Sequence, residues 1–341
     1  MSLKTAAIRF AERHDLPDWL VRRAIAHMVA KTARKLAAQP ANPAAFAADM
    51  ATRAVAEHAD AANAQHYALP PEFFAATLGP ARKYSSCLYP RGDESLTAAE
   101  DVALLATIEH AALTDGQDIL ELGCGWGSLT LCMARALPHA RITAVSNSAP
   151  QRAYIEGAAA TRGLTNVTVI TADMNDFTTN ARFDRVVSVE MFEHMANWGQ
   201  LLGRIHGWLK PDYGRLCIHI FSHLTHAYRF DHGDAADWIG QYFFTGGIMP
   251  SHDLIAQFDA LFAVEESWRW NGENYARTAR QWLANFDANH ATITPILQEV
   301  YGDDADIWRR RWRFFYLATE GLFGHGGGEP WAVSHYRLRP R

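Results

Sequence analysis

The sequence predicts an α/β fold in which helices cover both faces of a mainly parallel sheet. From about residue 117, short apolar strands alternate with segments of helical length, which is typical of such sheets. A glycine-rich loop joins the first of these strands to the next helix. The chain has 341 residues, 49% hydrophobic and 20% charged, which allows a sizeable core and about two domains.

The elements can be placed by hydrophobic periodicity. Residues 4 to about 60 are rich in alanine and arginine and predict two or three helices, and prolines and glycines break the pattern at residues 70–80. Predicted strands are Asp118–Leu122, Arg141–Ser146, Val167–Thr171, 183–189, 215–221, 263–270 and 332–339. Predicted helices are 128–137, 150–162, 199–209, 276–300 and 304–322.

Composition excludes several classes of protein. The formal net charge of -5 does not indicate a nucleic-acid binder. No run of about 18 apolar residues occurs, so no transmembrane helix is expected. The four cysteines (Cys87, Cys124, Cys132 and Cys217) form neither a C-x-x-C pair nor a zinc-ligand pattern. A reducing, cytoplasmic location is therefore expected.

The strongest local signal is the segment ELGCGWG at residues 121–127, which follows a strand and opens a helix. Glycines there let the backbone approach a ligand and present N–H groups to it. NAD enzymes use the spacing G-x-G-x-x-G and an acidic residue about 20 positions on, whereas this chain has G-x-G-x-G and no Asp or Glu between Trp126 and Ile155. We therefore predict that Gly123, Gly125 and Gly127 bind S-adenosylmethionine. NAD(P) binding and a turn without a ligand are the weaker alternatives.

Polar residues follow the next two strands. Ser146, Asn147 and Gln151 are candidates for the ribose contacts of the cofactor. Asp173 could accept a hydrogen bond from the adenine amino group, with Met174 against the ring. The alternative for Asp173 is a turn cap.

Together with Tyr84-Ser85, the segments VSNS (145–148) and VSVEMFEHM (187–195) resemble the cyclopropane-fatty-acid synthase superfamily. Segments 119–128, 183–195, 242–250 (YFFTGGIMP) and 331–336 (WAVSHY) look most like its coclaurine N-methyltransferase branch. The resemblance implies a Rossmann-like, seven-stranded class I methyltransferase core at residues 81–222, with Tyr84 and Ser85 at the cofactor. It also implies a helical cap at 1–80 and a helical substrate-covering region, with the last two strands, at 223–341.

The resemblance also suggests which methyl acceptor to expect. In lipid cyclopropane synthases a Cys, a Glu, a His and a Tyr hold a bicarbonate ion, and the matching positions here are Ser86, Glu193, His219 and Tyr275. Lipid synthases carry Gly before Met-Phe-Glu-His, whereas the N-methyltransferases carry Glu, as this chain does at Glu190. We therefore expect methylation of a small amine. Lipid modification at a membrane surface with a bicarbonate base is the alternative.

The candidate catalytic residues Glu190, Glu193 and His194 follow the fourth strand, at the carboxyl end of the sheet where ligands bind. We assign Glu190 to amine binding and proton removal, and His194 to a general base or relay. Glu193 would orient the site. A cap and a surface ion pair are the alternative for Glu193 and His194.

Aromatic residues are abundant near the C-terminus, and Tyr242, Phe323 and Trp331 are the preferred substrate-pocket residues, joined by His219 and Tyr275 from the resemblance. The run His219, His223, His226 and His232 lacks a ligand motif, so no metal site is predicted. The helical N-terminus could support a homodimer.

The first 36 residues carry a local basic excess. This segment would suit a membrane surface only under the lipid alternative, and a solvated face of a cap helix is preferred. A regulator that binds S-adenosylmethionine without transferring methyl is a third hypothesis, which Glu190 and His194 disfavour.

Overall fold

The computed structural model describes residues 3–57, 69–230, 233 and 237–341. Its strands are β1 (Asp118–Leu122), β2 (Arg141–Ser146), β3 (Val167–Thr171), β4 (Arg185–Val189), β5 (Arg215–His223), β6 (Tyr228–Arg229), β7 (Ile248–Met249), β8 (Phe262–Trp270) and β9 (Trp331–Pro340). A seven-stranded sheet has the order β3-β2-β1-β4-β5-β9-β8, and β6 pairs with β7 separately. Strands β1 to β5 are parallel, whereas β9 is antiparallel to both β5 and β8.

Helices cover this sheet and extend beyond it. They are α1 (Leu3–Arg13), α2 (Asp18–Ala37), α3 (Pro43–Met50), α4 (Pro71–Thr77), α5 (Leu96–His110), α6 (Ser128–Ala136), α7 (Ala149–Thr161), α8 (Trp198–Trp208), α9 (Trp238–Tyr242), α10 (Glu273–Ala288), α11 (His290–Tyr301) and α12 (Ala305–Phe323). A short 3-10 turn, Phe192–His194, follows β4. Residues 58–68 of the predicted cap and His232 lie outside the described residues.

The predicted α/β fold is confirmed, and β1, β2 and β3 have the predicted bounds. The helix predicted over 276–300 is instead divided into α10 and α11 at Asn289. Asn289 departs from helical angles (φ -100°, ψ 23°), and its side-chain amide donates to the Ala76 carbonyl oxygen at 2.9 Å. A tertiary contact therefore ends a helix that the local pattern would continue. Helices α4, α5 and α9 are absent from the prediction.

The N-terminal helices pack on the C-terminal ones. Val21, Ile25 and Val29 are spaced four residues apart, and form the buried side of α2. Gly321 of α12 lies beneath this side, where an added Cβ would come within 2.5 Å of Ile25 Cγ2. Among the described residues, no helix has both the length and the apolar character needed to cross a membrane.

Candidate active site

A cleft opens beside the carboxyl ends of β1, β2, β3 and β4, with about 740 Å³ of empty space that includes open solvent. It is lined by many of the predicted residues: Gly123, Gly125, Ser146, Asn147, Gln151, Asp173, Met174, Glu190 and His194. These residues are far apart in sequence, and they meet because parallel strands bring their carboxyl ends to one edge of the sheet.

The three loop glycines have different surroundings, although each has a positive φ. A Cβ at Gly123 would lie 2.6 Å from Met191 Cβ, and one at Gly127 would lie 2.6 Å from Ile155 Cγ1. Gly127 is not among the described residues that line the cleft. At Gly125 (φ 52°) an added Cβ would meet no protein atom within 4 Å. Gly125 is therefore the glycine that leaves space for a ligand.

Three polar side chains along the cleft, Ser146, Gln151 and Asp173, have hydrogen-bonding atoms suitable for a nucleoside. The Ser146 hydroxyl donates to Gln151 Oε1 at 2.6 Å, while the buried Gln151 Nε2 has no hydrogen-bond partner among the described residues. Such a buried donor calls for a partner. Asp173 Oδ1 accepts the Asn175 N–H at 2.6 Å, so Asp173 does cap a turn, and it also lines the cleft beside Met174. The unpaired amide, the space at Gly125 and the apolar Met174 wall fit the predicted cofactor.

Glu190 follows β4 with a φ of 47°, which is uncommon for a residue with a side chain. Its Oε1 accepts the Ser86 N–H at 3.0 Å and lies 3.2 Å from His219 Nε2. Its Oε2 accepts the Tyr275 hydroxyl at 2.7 Å. Only 7% of the side chain is exposed. Burial raises the pKa of the Glu190 carboxyl, and the positive charge of Lys83 opposes this shift.

Glu193 and His194 follow on the 3-10 turn and face different surroundings. Glu193 is fully buried, and its Oε1 accepts the Phe221 N–H of β5 at 2.7 Å. Burial, and then repulsion from Glu190, raise the pKa of Glu193 well above its usual range. His194 lines the cleft, with its ring centroid 4.4 Å from that of Phe244. Glu193 therefore ties this turn to β5, and its burial rules out a surface ion pair.

Lys83 lies buried beside the site, and the sequence prediction does not include it. Its Nζ donates to Ser85 Oγ at 2.5 Å and to the Ser86 carbonyl oxygen at 2.6 Å. Burial lowers the pKa of Lys83, although nearby negative charge including Glu190 opposes this. Ser85 therefore contacts Lys83, and neither Ser85 nor Tyr84 is among the described residues that line the cleft. Adjacency to Tyr84-Ser85 is the only sequence signal for Lys83.

The predicted substrate-pocket residues lie at different distances from this centre. His219 and Tyr275 contact Glu190 directly. The Phe323 ring stacks on Tyr275, with centroids 4.4 Å apart. Trp331 is fully buried, and its indole N–H donates to the Tyr228 hydroxyl at 3.0 Å. The guanidinium carbon of Arg311 lies over the ring of Tyr242, 3.7 Å from the ring centroid.

Of the other histidines in this run, His223 at the end of β5 and His226 in the loop after it make contacts with backbone groups. His223 Nδ1 accepts the backbone N–H groups of Thr225 and His226, at 3.1 and 2.9 Å. His226 Nε2 lies 3.0 Å from the Gln39 carbonyl oxygen. Within the described part of the chain, no cluster of three or more His, Cys, Asp or Glu side chains is arranged to hold a metal ion.

A family model and individual relatives both place this chain in one family. A family model described as mycolic acid cyclopropane synthetase matches residues 55–324. The (S)-coclaurine N-methyltransferase of Thalictrum flavum subsp. glaucum is 34% identical over 292 residues, which are 84% of this chain and 81% of that protein. The cyclopropane-fatty-acyl-phospholipid synthase of Escherichia coli (strain K12) is 29% identical over 271 residues, which are 79% and 66% of the two chains.

Solved structures agree with these relatives. The crystal structure of coclaurine N-methyltransferase bound to N-methylheliamine and SAH has a TM-score of 0.92 at 31% identity, covering 98% of this chain and 99% of that one. A cyclopropane synthase from Mycobacterium tuberculosis has a TM-score of 0.70 at 22% identity over 84% of this chain and 99% of that one, and shares the fold. The chain therefore belongs to the mycolic acid cyclopropane synthetase family and is an S-adenosylmethionine-dependent methyltransferase.

Proposed function

We propose that this enzyme methylates the nitrogen of a small cyclic amine. The observation that carries the proposal is Glu190, a buried carboxylate on the cleft wall that Ser86, His219 and Tyr275 hold in place. Such a carboxylate binds an ammonium ion and can accept its proton. The relatives named as coclaurine and pavine N-methyltransferases support a nitrogen acceptor.

Residues of this chain remove a proton from the acceptor amine, so that its nitrogen can attack the methyl group. Bound S-adenosylmethionine supplies an electrophilic methyl group for in-line transfer, so the amine must first lose its proton. Glu190 binds the ammonium ion and accepts that proton, and its raised pKa makes it a stronger base than an exposed carboxylate. His194, on the same cleft, serves as general base or relay. Glu193 orients the turn through the Phe221 N–H.

The cleft wall suits a compact, largely apolar amine. Met191, Met195 and Ala172 line it together with Glu190, and the Phe244 ring packs at a tilt against the ring of His194. Apolar walls with a few convergent polar groups are typical of small-molecule sites. The solved relative bound to N-methylheliamine supports a tetrahydroisoquinoline-like acceptor.

The same geometry weighs against the lipid alternative. The resemblance assigned Ser86, His219 and Tyr275 to a bicarbonate ion, and here Glu190 takes the Ser86 N–H and Tyr275 hydroxyl and lies against His219. A bicarbonate ion at this place would find these donors already bound to Glu190, and the negative charge of Glu190 would repel it. The residues present therefore do not fit bicarbonate, which supports an amine acceptor.

A direct test is release of S-adenosylhomocysteine with two acceptors, tetrahydroisoquinoline and vesicles of unsaturated phospholipid. We expect turnover on the amine and none on the vesicles. The Glu190→Gln variant should lose about 10²-fold or more in kcat, because it keeps the shape but not the base. Its affinity for S-adenosylhomocysteine should be unchanged.

The matched control is Glu156→Gln, an exposed carboxylate on α7 that pairs with Arg152 and should keep full activity. Turnover on vesicles alone would overturn the amine proposal. Equal losses of turnover and cofactor affinity in Glu190→Gln would remove Glu190 from the acceptor site.

A further inference from the structure

Three histidines lead away from Glu190 through the protein. His219 Nε2 lies 3.2 Å from Glu190 Oε1. His219 on β5 pairs in register with His335 on β9, and their ring centroids are 4.3 Å apart. His335 Nδ1 lies 3.1 Å from Nδ1 of His110, the last residue of α5. The array runs from the fully buried His219 and His335 to the half-buried His110.

Two nitrogens inside this array have no hydrogen-bond partner among the described residues. They are His219 Nδ1 and His335 Nε2, and both rings are at most 1% exposed. A buried polar atom without a partner costs free energy, and phenylalanine would fill the same space without that cost. The two nitrogens do not hydrogen-bond to each other directly, but with the ring centroids 4.3 Å apart one water molecule is enough to connect them.

We propose that His219, His335 and His110 form a relay that carries the proton released in methyl transfer from Glu190 to solvent. This inference rests on the proposed function. An ammonium acceptor and S-adenosylmethionine together yield the methylated ammonium, S-adenosylhomocysteine and one proton. That proton must leave the buried Glu190 before another turnover.

Each step exchanges one N–H or O–H bond for another, with no change in oxidation state. Glu190 gives its proton to His219 Nε2, and His219 Nδ1–H passes one through a connecting water molecule to His335 Nε2. His335 Nδ1–H passes one to His110 Nδ1, and His110 Nε2–H gives one to water. Each ring must then return to its starting tautomer before it can carry the proton of the next turnover.

The surroundings keep the inner rings neutral. Burial lowers the pKa of His219 and of His335 well below the usual range, so neither stores the proton. Trp270 packs against both rings, with centroids at 5.3 and 4.1 Å. Charged groups flank both ends: Lys83 and Glu190 at the inner end, and Glu109, Glu266 and Arg337 around His110.

The test uses two variants that keep the ring contacts and remove the nitrogens. His335→Phe preserves packing on Trp270, and His110→Phe preserves the stack on Trp268, whose centroid is 3.9 Å away. The control is His252→Gln. His252 contacts Ser334 and Tyr336, the neighbours of His335 in β9, and lies outside the array.

With tetrahydroisoquinoline as acceptor, we expect both Phe variants to lose about tenfold in kcat, with KM and S-adenosylhomocysteine affinity unchanged. Their solvent deuterium isotope effect on kcat should rise, because proton transfer becomes rate-limiting. Imidazole buffer should restore His110→Phe and leave the wild type and His252→Gln unaffected.

Wild-type turnover in both variants would overturn the relay. So would slower turnover without an isotope effect or buffer rescue, because that pattern marks a structural role. If His335→Phe does not fold, His110→Phe decides the question alone. If the wild type accepts only vesicles, the proposed function fails, and the relay is tested with that acceptor, since closing a cyclopropane ring from a methyl group and a double bond also releases one proton.

Discussion

Glu190 combines a left-handed backbone with a carboxylate that accepts a hydrogen bond at each oxygen. Its φ of 47° costs free energy for a residue with a side chain, and its N–H donates to the His219 carbonyl oxygen at 2.8 Å. That bond and the side-chain contacts to Ser86 and Tyr275 hold the conformation. Such stored strain is typical of functional sites, and here it fixes a carboxylate on the cleft wall.

Gly125→Val should abolish cofactor binding. An added Cβ meets no protein atom within 4 Å, so the space that the new side chain enters is the space predicted for the ligand. We expect the Kd for S-adenosylhomocysteine to rise about a hundredfold or more, or about 3 kcal/mol, by calorimetric titration. Gly163→Val is the matched control, because Gly163 also has a positive φ (67°) and open surroundings but does not line the cleft. Retained affinity in Gly125→Val would show that the cofactor lies elsewhere.

Glu121 should make stability fall as pH rises. Burial raises its pKa to about 8 from 4.5, and the hydrogen bond from the Thr130 hydroxyl opposes the shift. Between these values the folded state holds a proton that the unfolded state has lost, so ΔG of unfolding falls by up to about 1.4 kcal/mol per pH unit.

Glu121→Gln should lack this dependence. Denaturant unfolding at pH 5 and pH 8 would measure it, and the stability of the variant relative to wild type should increase with pH. Glu156→Gln supplies the exposed control, which should follow the wild type. Parallel curves for wild type and Glu121→Gln would contradict the prediction.

At the scale of elements, the packing of α2 on α12 depends on one glycine. Ile25 lies on the buried side of α2, and its Cγ2 occupies the space next to Gly321. Glycine is a poor helix former, so its place inside α12 is explained by this close approach.

Gly321→Ala should destabilise the wild type by about 1–3 kcal/mol through overpacking. In an Ile25→Ala background the sign should reverse, because the clash is gone and alanine favours a helix over glycine by about 1 kcal/mol. A double-mutant cycle on the free energy of unfolding measures the difference. Additive effects would mean that the two helices do not approach as described.

At the scale of the whole molecule, the basic N-terminal segment is part of the fold. Arg22 pairs with Asp18 and Glu320, at 3.4 and 3.2 Å. The apolar side of α2 is buried rather than open to a membrane. Amphipathic helices that bind membranes need that apolar side free.

We therefore expect no binding of the protein to anionic phospholipid vesicles. Flotation at low and at physiological salt measures it. Binding that disappears with salt would indicate a basic surface outside these ion pairs and would revive the lipid alternative. Trp19→Ser is a useful companion variant, because Trp19 is 66% exposed and is the side chain to insert if binding occurs.

The sequence by itself determined the architecture and the class of reaction. Strands β1, β2 and β3 and most helices could be located because their signals are local: apolar periodicity, glycines and caps. The loop from Gly123 to Gly127 and the segment around Glu190 indicated the cofactor and the family, which the comparisons confirm.

Only the tertiary structure decided which side chains lie in contact. Glu190 contacts Ser86, His219 and Tyr275, which come from a loop, β5 and α10, and Lys83 and the histidine array were absent from the prediction. The physical reason is that periodicity specifies the buried side of an element but not which residue of another element will face it. Contacts between distant segments depend on packing and register, and those arise only when the whole chain has folded.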